Sequence, residues 1–183
     1  MSHEKLDQLA SLVCGKSIAL VGNAQSLLSA HTDIDAHDIV VRMNSGFFVK
    51  NNVDTIGKRT DVLLTSGRAK AKELDLFLAE VSYVIWMSPK KRETLIDKQL
   101  RLLSFYPLDW WVELHRELGH RPSTGCMGID LFSRMVGTGE IHLYGFDFWR
   151  TPTSYTNEVR LGPHNPNAEE AFAIRRIPIA FHH

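Results

Sequence analysis

Apolar and polar residues follow two rhythms along this chain, and the switching between them predicts an α/β fold. A continuous apolar run stands at 17–21, and runs with apolar centres stand at 38–42, 61–65 and 81–87. Each is closed by turn residues: Gly22-Asn23, Met43-Asn44-Ser45-Gly46, Ser66-Gly67 and Ser88-Pro89. Such runs read as strands buried on both faces of a parallel sheet. Elsewhere the apolar spacing becomes three and four. It predicts helices over 4–13 (Leu6, Leu9, Leu12 and Val13 on one face), 69–78 (Leu74, Phe77, Leu78), 93–103, 109–118 and 126–136, and a further strand over 140–144. Strands alternating with helical patterns predict an α/β domain with a mostly parallel sheet and flanking helices, a single domain over 1–183. Residues 150–162 are expected to form a mobile loop. Ligands of such sheets sit beyond the carboxyl ends of the strands. That rule lines up Gly22, Asn23, Asn44, Ser66, Gly67 and the residues after Phe146 along one edge, with the helix start at Ser123-Thr124-Gly125 facing it.

Composition narrows the class. Hydrophobic residues make up 44% and charged residues 23%, ordinary values for a globular protein. A formal net charge of +0 argues against a nucleic-acid partner bound by bulk electrostatics. No apolar run reaches the roughly 18 residues of a spanning helix, so no transmembrane segment is expected. The opening Met1-Ser2-His3-Glu4-Lys5 is too polar for a secretory leader. Cys14 and Cys126 do not make a disulfide framework, and a reduced, cytoplasmic protein is expected.

Several short patterns carry candidate chemistry. Arg121-Pro122-Ser123-Thr124-Gly125 opens a helix with two hydroxyls, a glycine and exposed N–H groups, a seat for phosphate or carboxylate; a plain N-cap has the same residues. Gly22-Asn23 lets backbone approach a ligand and offers an amide, and it also fits a simple turn. Asn44 at the end of the Arg42-Met43-Asn44 strand end can bond a ribose or phosphate; Arg42 fits equally well in a structural pair with Asp38 or Asp61. Asp33-Ile34-Asp35 has the form of a metal-binding Asp-x-Asp, but it precedes its strand, and a turn or cap with Asp38 is the simpler reading; no metal is expected. His164 stands just before a helix start, with Asn165 as cap and Pro166 at the first position, or with Asn167 and Glu170 as a competing capping box. A histidine near a helix N-terminus stays neutral and can accept a proton. His115 and His120 lack metal-ligand spacing. Trp110 and Trp111 fit an acceptor pocket less well than a core.

In order and spacing these segments resemble the sialyltransferases of glycosyltransferase family 29. Ile18 to Asn23, Asp33 to Asn44 and Gly57 to Asp61 look like the large sialylmotif. Pro122 to Gly125, continuing through Leu143-Tyr144-Gly145-Phe146, looks like the small one. His164 with Glu169 looks like the very small one. The resemblance runs from Lys16 to Phe172, with the stretch between Gly67 and His120 unassigned. It implies a GT-A-like variant of a Rossmann-like fold, a CMP-activated sugar donor, a glycan acceptor and no cofactor. Residue by residue it implies that Asn23 and Asn44, with Gly22 beside them, contact the nucleotide. Ser123, Thr124 and Gly125 hold the donor's phosphate and carboxylate end. His164 is the general base. Arg121, Tyr155 and Glu169 complete the expected donor-binding set, the role of Glu169 being open. The chain departs from the family in two places. Ile18 and Thr138 stand where the animal members have disulfide cysteines. The histidine of the family's third motif is missing from Ser154-Tyr155-Thr156, leaving Tyr155, Arg121 or Arg150 to assist the leaving phosphate. The implied activity is inverting, metal-independent transfer of sialic acid from CMP-sialic acid to a glycan hydroxyl. A CMP-Kdo-dependent transferase and a non-catalytic CMP-binding module are the alternatives.

Overall fold

The computed structural model describes residues 2–30, 32–51, 54–66, 71–90, 92–156, 158, 159 and 161–183, the side chains of 2, 3 and 71 excepted. The strands are β1 Ser17–Val21, β2 Ile39–Met43, β3 Val62–Thr65, β4 Tyr83–Trp86, β5 Ser104–Phe105 and β6 Glu140–Tyr144. They form one six-stranded sheet in the order β5-β4-β3-β2-β1-β6, every adjacent pair parallel. The helices are α1 Ser2–Val13, α2 Gly46–Val49, α3 Ala71–Glu80, α4 Asp97–Leu102, α5 Leu108–Leu118, α6 Thr124–Met135 and α7 Pro166–Arg176.

The apolar strands are continuous because both sheet faces are covered. Ile18 and Leu20 of β1 face the core made with α1, α5, α6 and α7. Ala19 and Val21 face the opposite side, where Leu27, Ile34 and Ile56 from short 3-10 turns close over them. On that same side α3 lays Leu74 and Phe77 against Leu63, Val84 and Trp86. Trp110 and Trp111 pack on the main core, as their helical spacing implied. Trp110 lies under the Arg134 guanidinium at 4.7 Å and Trp111 stacks on His115.

Some boundaries differ from the sequence reading. Residues 93–103 do not form one helix but a 3-10 turn, Arg92–Thr94, followed by α4. The break lies at Ile96, whose extended backbone donates its N–H to Gln99 Oε1 at 3.2 Å. Strand β5 was not anticipated, since two residues carry no alternation. Val81 lies before the strand, just past the last residue of α3, where its N–H donates to Phe77 O at 2.9 Å. The turn expected at Gly67 and the first two residues of the expected helix 69–78 lie outside the described residues.

Arg42 corrects another expectation. It is 1% exposed and pairs with neither Asp38 nor Asp61. It donates to the carbonyls of Ile56, Gly57 and Arg59 at 2.8, 3.0 and 2.9 Å. Burial lowers its pKa to about 10, and carbonyl oxygens solvate the cation in place of water. Asp61 is bonded by Arg59 instead. Asp33 and Asp35 are also built into the fold. Asp33 accepts the Tyr144 hydroxyl, and Asp35 accepts the N–H groups of Lys58 and Arg59.

Two topological features position the site. The chain steps outward from β1 to β5 and then returns to place β6 on the other side of β1. The carboxyl end of β1 is therefore the switch point, where the loops diverge and leave a crevice. The free edge of β6 is covered by the last residues of the sequence: Leu143 bridges His182, and the His183 N–H donates to Leu143 O at 2.8 Å. Among the described residues no helix is long and apolar enough to cross a membrane.

Candidate active site

The loops after β1, β2 and β6 meet at the switch point. Gly22 allows them to close. Its N–H donates to Tyr144 O at 2.7 Å, and a Cβ there would stand 2.3 Å from Gly145 O. A side chain would wedge the ends of β1 and β6 apart, so the glycine is fixed by close approach and shapes the crevice floor.

Asn23 and Asn44 stand beside each other above β1 and β2. Asn23 Nδ2 donates to Met43 O at 3.2 Å. Its Oδ1 is buried and, among the described residues, has no partner. Such an orphaned acceptor is costly unless something donates to it. Asn44 adopts a left-handed backbone at φ 49°, tolerated by Asn better than by most residues. Its Oδ1 accepts the Ser66 N–H at 3.0 Å, which leaves its amide hydrogens for another acceptor. The segment expected to be a mobile loop is tied to the same place. Ser154 N–H donates to Asn23 O at 2.7 Å, Gln25 N–H to Pro152 O at 2.8 Å, and Ala24 bridges Thr153. Tyr155 is thereby carried to the rim beside Asn23, 43% exposed.

The second wall is the start of α6. Ser123 is its N-cap, its Oγ accepting the Cys126 N–H at 3.1 Å. Thr124 and Gly125 occupy the first two helical positions, whose N–H groups have no acceptor within a helix. Gly125 lies against Phe146, where a Cβ would sit 2.9 Å from Phe146 Cε1. The Ser123 hydroxyl and N–H do not face solvent. Both donate to the Glu169 carboxylate, the N–H at 2.8 Å. Glu169 is 3% exposed, and burial raises its pKa to about 7 against the two bonds from Ser123 that favour its charge.

α7 supplies the remaining wall. Asn165 caps it, its side chain accepting the Ala168 N–H at 3.1 Å, with Pro166 at the first position. The competing Asn167 capping box is not used. Asn165 also meets His120 Nε2 at 3.1 Å, joining this cap to the end of α5. His164 precedes the cap. Its Nδ1 lies 2.8 Å from Arg121 O and 3.9 Å from Glu169 Oε1. A carbonyl can only accept, so Nδ1 carries the proton, and in the neutral form of the ring the lone pair lies on Nε2. That is the tautomer a base needs. Arg121 contributes its carbonyl here. Trp149, which the sequence reading passed over, stacks on the His164 ring with centroids 5.6 Å apart and planes at 22°. The nearest signal in the sequence is the aromatic cluster Phe146-Asp147-Phe148-Trp149 directly after β6.

His164, Glu169, Ser123, Thr124, Gly125 and Arg121 thus form one connected group, while Gly22, Asn23, Asn44 and Tyr155 form another at the same sheet edge. Among the described residues no three His, Cys, Asp or Glu side chains are arranged to hold a metal ion.

Residues 3–85 match the model of glycosyltransferase family 29 (sialyltransferase). No curated protein matches the chain in sequence. Solved structures match across most of it. A mammalian sialyltransferase in complex with Gal-beta-1-3GalNAc-ortho-nitrophenol superposes with a TM-score of 0.61 at 20% identity, over 95% of this chain and 74% of that one. The sialyltransferase CstII from Campylobacter jejuni, in complex with cytidine-5'-monophosphate, gives 0.59 at 15% identity, over 87% and 74%. A further CstII structure, with a trisaccharide acceptor and CMP, gives 0.55 at 14% identity, over 88% and 74%. Residues 3–85 are thus similar to the family-29 sialyltransferases in sequence, and the chain as a whole shares the fold of the solved sialyltransferases.

Proposed function

We propose that the protein transfers sialic acid from CMP-sialic acid to a glycan hydroxyl, with inversion, without a metal, and with His164 as base. The observation that carries this reading is the Nδ1–H bond from His164 to Arg121 O beside the start of α6. It puts a ring with its lone pair on Nε2 next to a helix start suited to an anion. The family match and the CMP complexes of proteins with the same fold support the choice of donor.

In this reading the nucleotide lies across the carboxyl ends of β1 and β2. Asn23 Oδ1 accepts from a ribose hydroxyl, and the amide of Asn44 donates to ribose or phosphate. The N–H groups of Thr124 and Gly125 receive the phosphate and the sugar carboxylate. Ser123 acts at one remove, holding the helix start through Glu169. The acceptor oxygen attacks the anomeric carbon from the face opposite CMP while its proton passes to Nε2 of His164. The bond to the phosphate oxygen breaks, and its charge develops against the positive end of α6. Of the groups that could assist departure, Arg150 is held by Glu170 at 2.9 Å. Tyr155, on the loop anchored to Asn23, is the one we assign. Metal independence is supported by the engagement of Asp33 and Asp35 within the fold. With Cys14 and Cys126 both free, a reducing, cytoplasmic setting fits.

The test is CMP release from CMP-sialic acid and, in parallel, CMP-Kdo, over a panel of glycan acceptors, with and without EDTA. Sialyl transfer unaffected by EDTA is expected. His164→Ala should lower turnover ~10²-fold or more with CMP affinity nearly unchanged by calorimetry. Preference for CMP-Kdo would overturn the donor, and undiminished turnover in the variant would overturn the base. CMP binding without release from either sugar would leave a binding module.

A further inference from the structure

We propose that Trp149 is a positioning residue that locks the His164 imidazole in its base-competent orientation, a role that rests on His164 being the base. One bond at Nδ1 fixes one corner of the ring and still lets it tilt about that bond. A flat surface against its face removes the tilt. Arg121 O supplies the first constraint and the Trp149 indole, stacked at 22°, supplies the second. The constraint matters because a competing acceptor is close. Glu169 Oε1 is 3.9 Å from the same Nδ1, and a small rotation would transfer the bond and re-aim Nε2.

The backbone is arranged to make this contact. Phe148 and Trp149 are successive residues in the left-handed region, at φ 51° and 63°. Neither is a residue type that adopts it readily, and such conformations persist where the surroundings enforce them, most often at functional sites. Here Phe148 packs on the main core while the next residue turns out over His164. Asp147 closes the turn: its carboxylate accepts the Thr151 N–H at 2.9 Å and the Thr151 hydroxyl, and its carbonyl accepts the Arg150 N–H. Arg150 then reaches both Glu170 oxygens at 2.9 Å, clipping the turn to α7. Two aromatic residues in strained backbone, pinned at both ends, the second of them stacked on the His164 imidazole, are explained if the indole has a task there.

The test separates strain from function. Trp149→Gly permits the same φ without strain and removes the ring; Trp149→Phe keeps a flat face. Trp149→Gly should keep or raise Tm, leave the CMP dissociation constant within ~2-fold, and lower kcat ~10-fold or more. Trp149→Phe should recover most of kcat. In a His164→Ala background Trp149→Gly should add no further loss, because both act through one group. Independently of turnover, the ring ¹⁵N shifts of His164 should report one Nδ1-protonated tautomer in the wild type and exchange between two in the variant. Should Trp149→Gly fail to fold, Trp149→Leu, which keeps bulk without a flat face, is read the same way. Wild-type kcat in the glycine variant, equal losses in both backgrounds, or an unchanged tautomer would each overturn the proposal. An inactive wild type, or His164→Ala with full turnover, would overturn the base assignment instead, and the ¹⁵N measurement would still decide on Trp149.

Discussion

Glu169 sits where its own ionisation opposes the fold. Its ordinary pKa is 4.5 and burial raises it to about 7, so between those values the folded state binds more protons than the unfolded one. This group's contribution is therefore full below pH 4.5 and is lost as pH rises toward 7, by on the order of 3 kcal/mol. His37 and His183, pushed below their ordinary pKa by burial and then by His142, work in the opposite sense. Their contribution is present above pH 6.5 and falls away in acid. Both histidines remain in Glu169→Gln, so the difference between the two proteins isolates the carboxylate. The amide holds the neutral form, and its Tm relative to wild type should rise steadily from pH 4.5 to 7. Parallel Tm–pH curves would show that Glu169 carries no raised pKa.

At the scale of elements, α6 joins cap and site in one residue. Ser123 caps the helix and donates twice to Glu169 on α7, so its hydroxyl is a joint between helices. Ser123→Ala should destabilise the fold by about 1–3 kcal/mol in chemical denaturation while changing CMP affinity less than ~3-fold. A large loss of CMP affinity at unchanged stability would return the hydroxyl to the donor. This joint could not be read from the sequence. The strands at 17–21 and 38–42 were legible because burial on both faces leaves adjacent apolar residues, Ile18 to Val21 and Ile39 to Val41, in place of an alternation. The Asn165-Pro166 helix start was legible because caps are local chemistry. The Ser123–Glu169 and Trp149–His164 contacts join residues that only folding brings together. The positive φ of Phe148 and Trp149 has no residue-type signature at all, since those residues ordinarily avoid it.

For the molecule as a whole, the parallel sheet has two ends to defend. A sheet edge presents unpaired N–H and C=O groups, a template onto which another chain can add a strand. At one end β5 is only two residues long, too short to offer much. At the other, β6 runs for five residues beside β1 with apolar Ile141 and Leu143 at its centre. There the His183 N–H bonds Leu143 O, its ring stacks on Tyr144 at 4.6 Å, and Phe181 lies on His142 at 4.3 Å. The last residues of this sequence therefore cover the edge of β6. Removing residues 179–183 should lower Tm by several degrees and give light scattering that grows with protein concentration. A variant whose Tm and light scattering match those of the uncut protein would show that β6 needs no such cover.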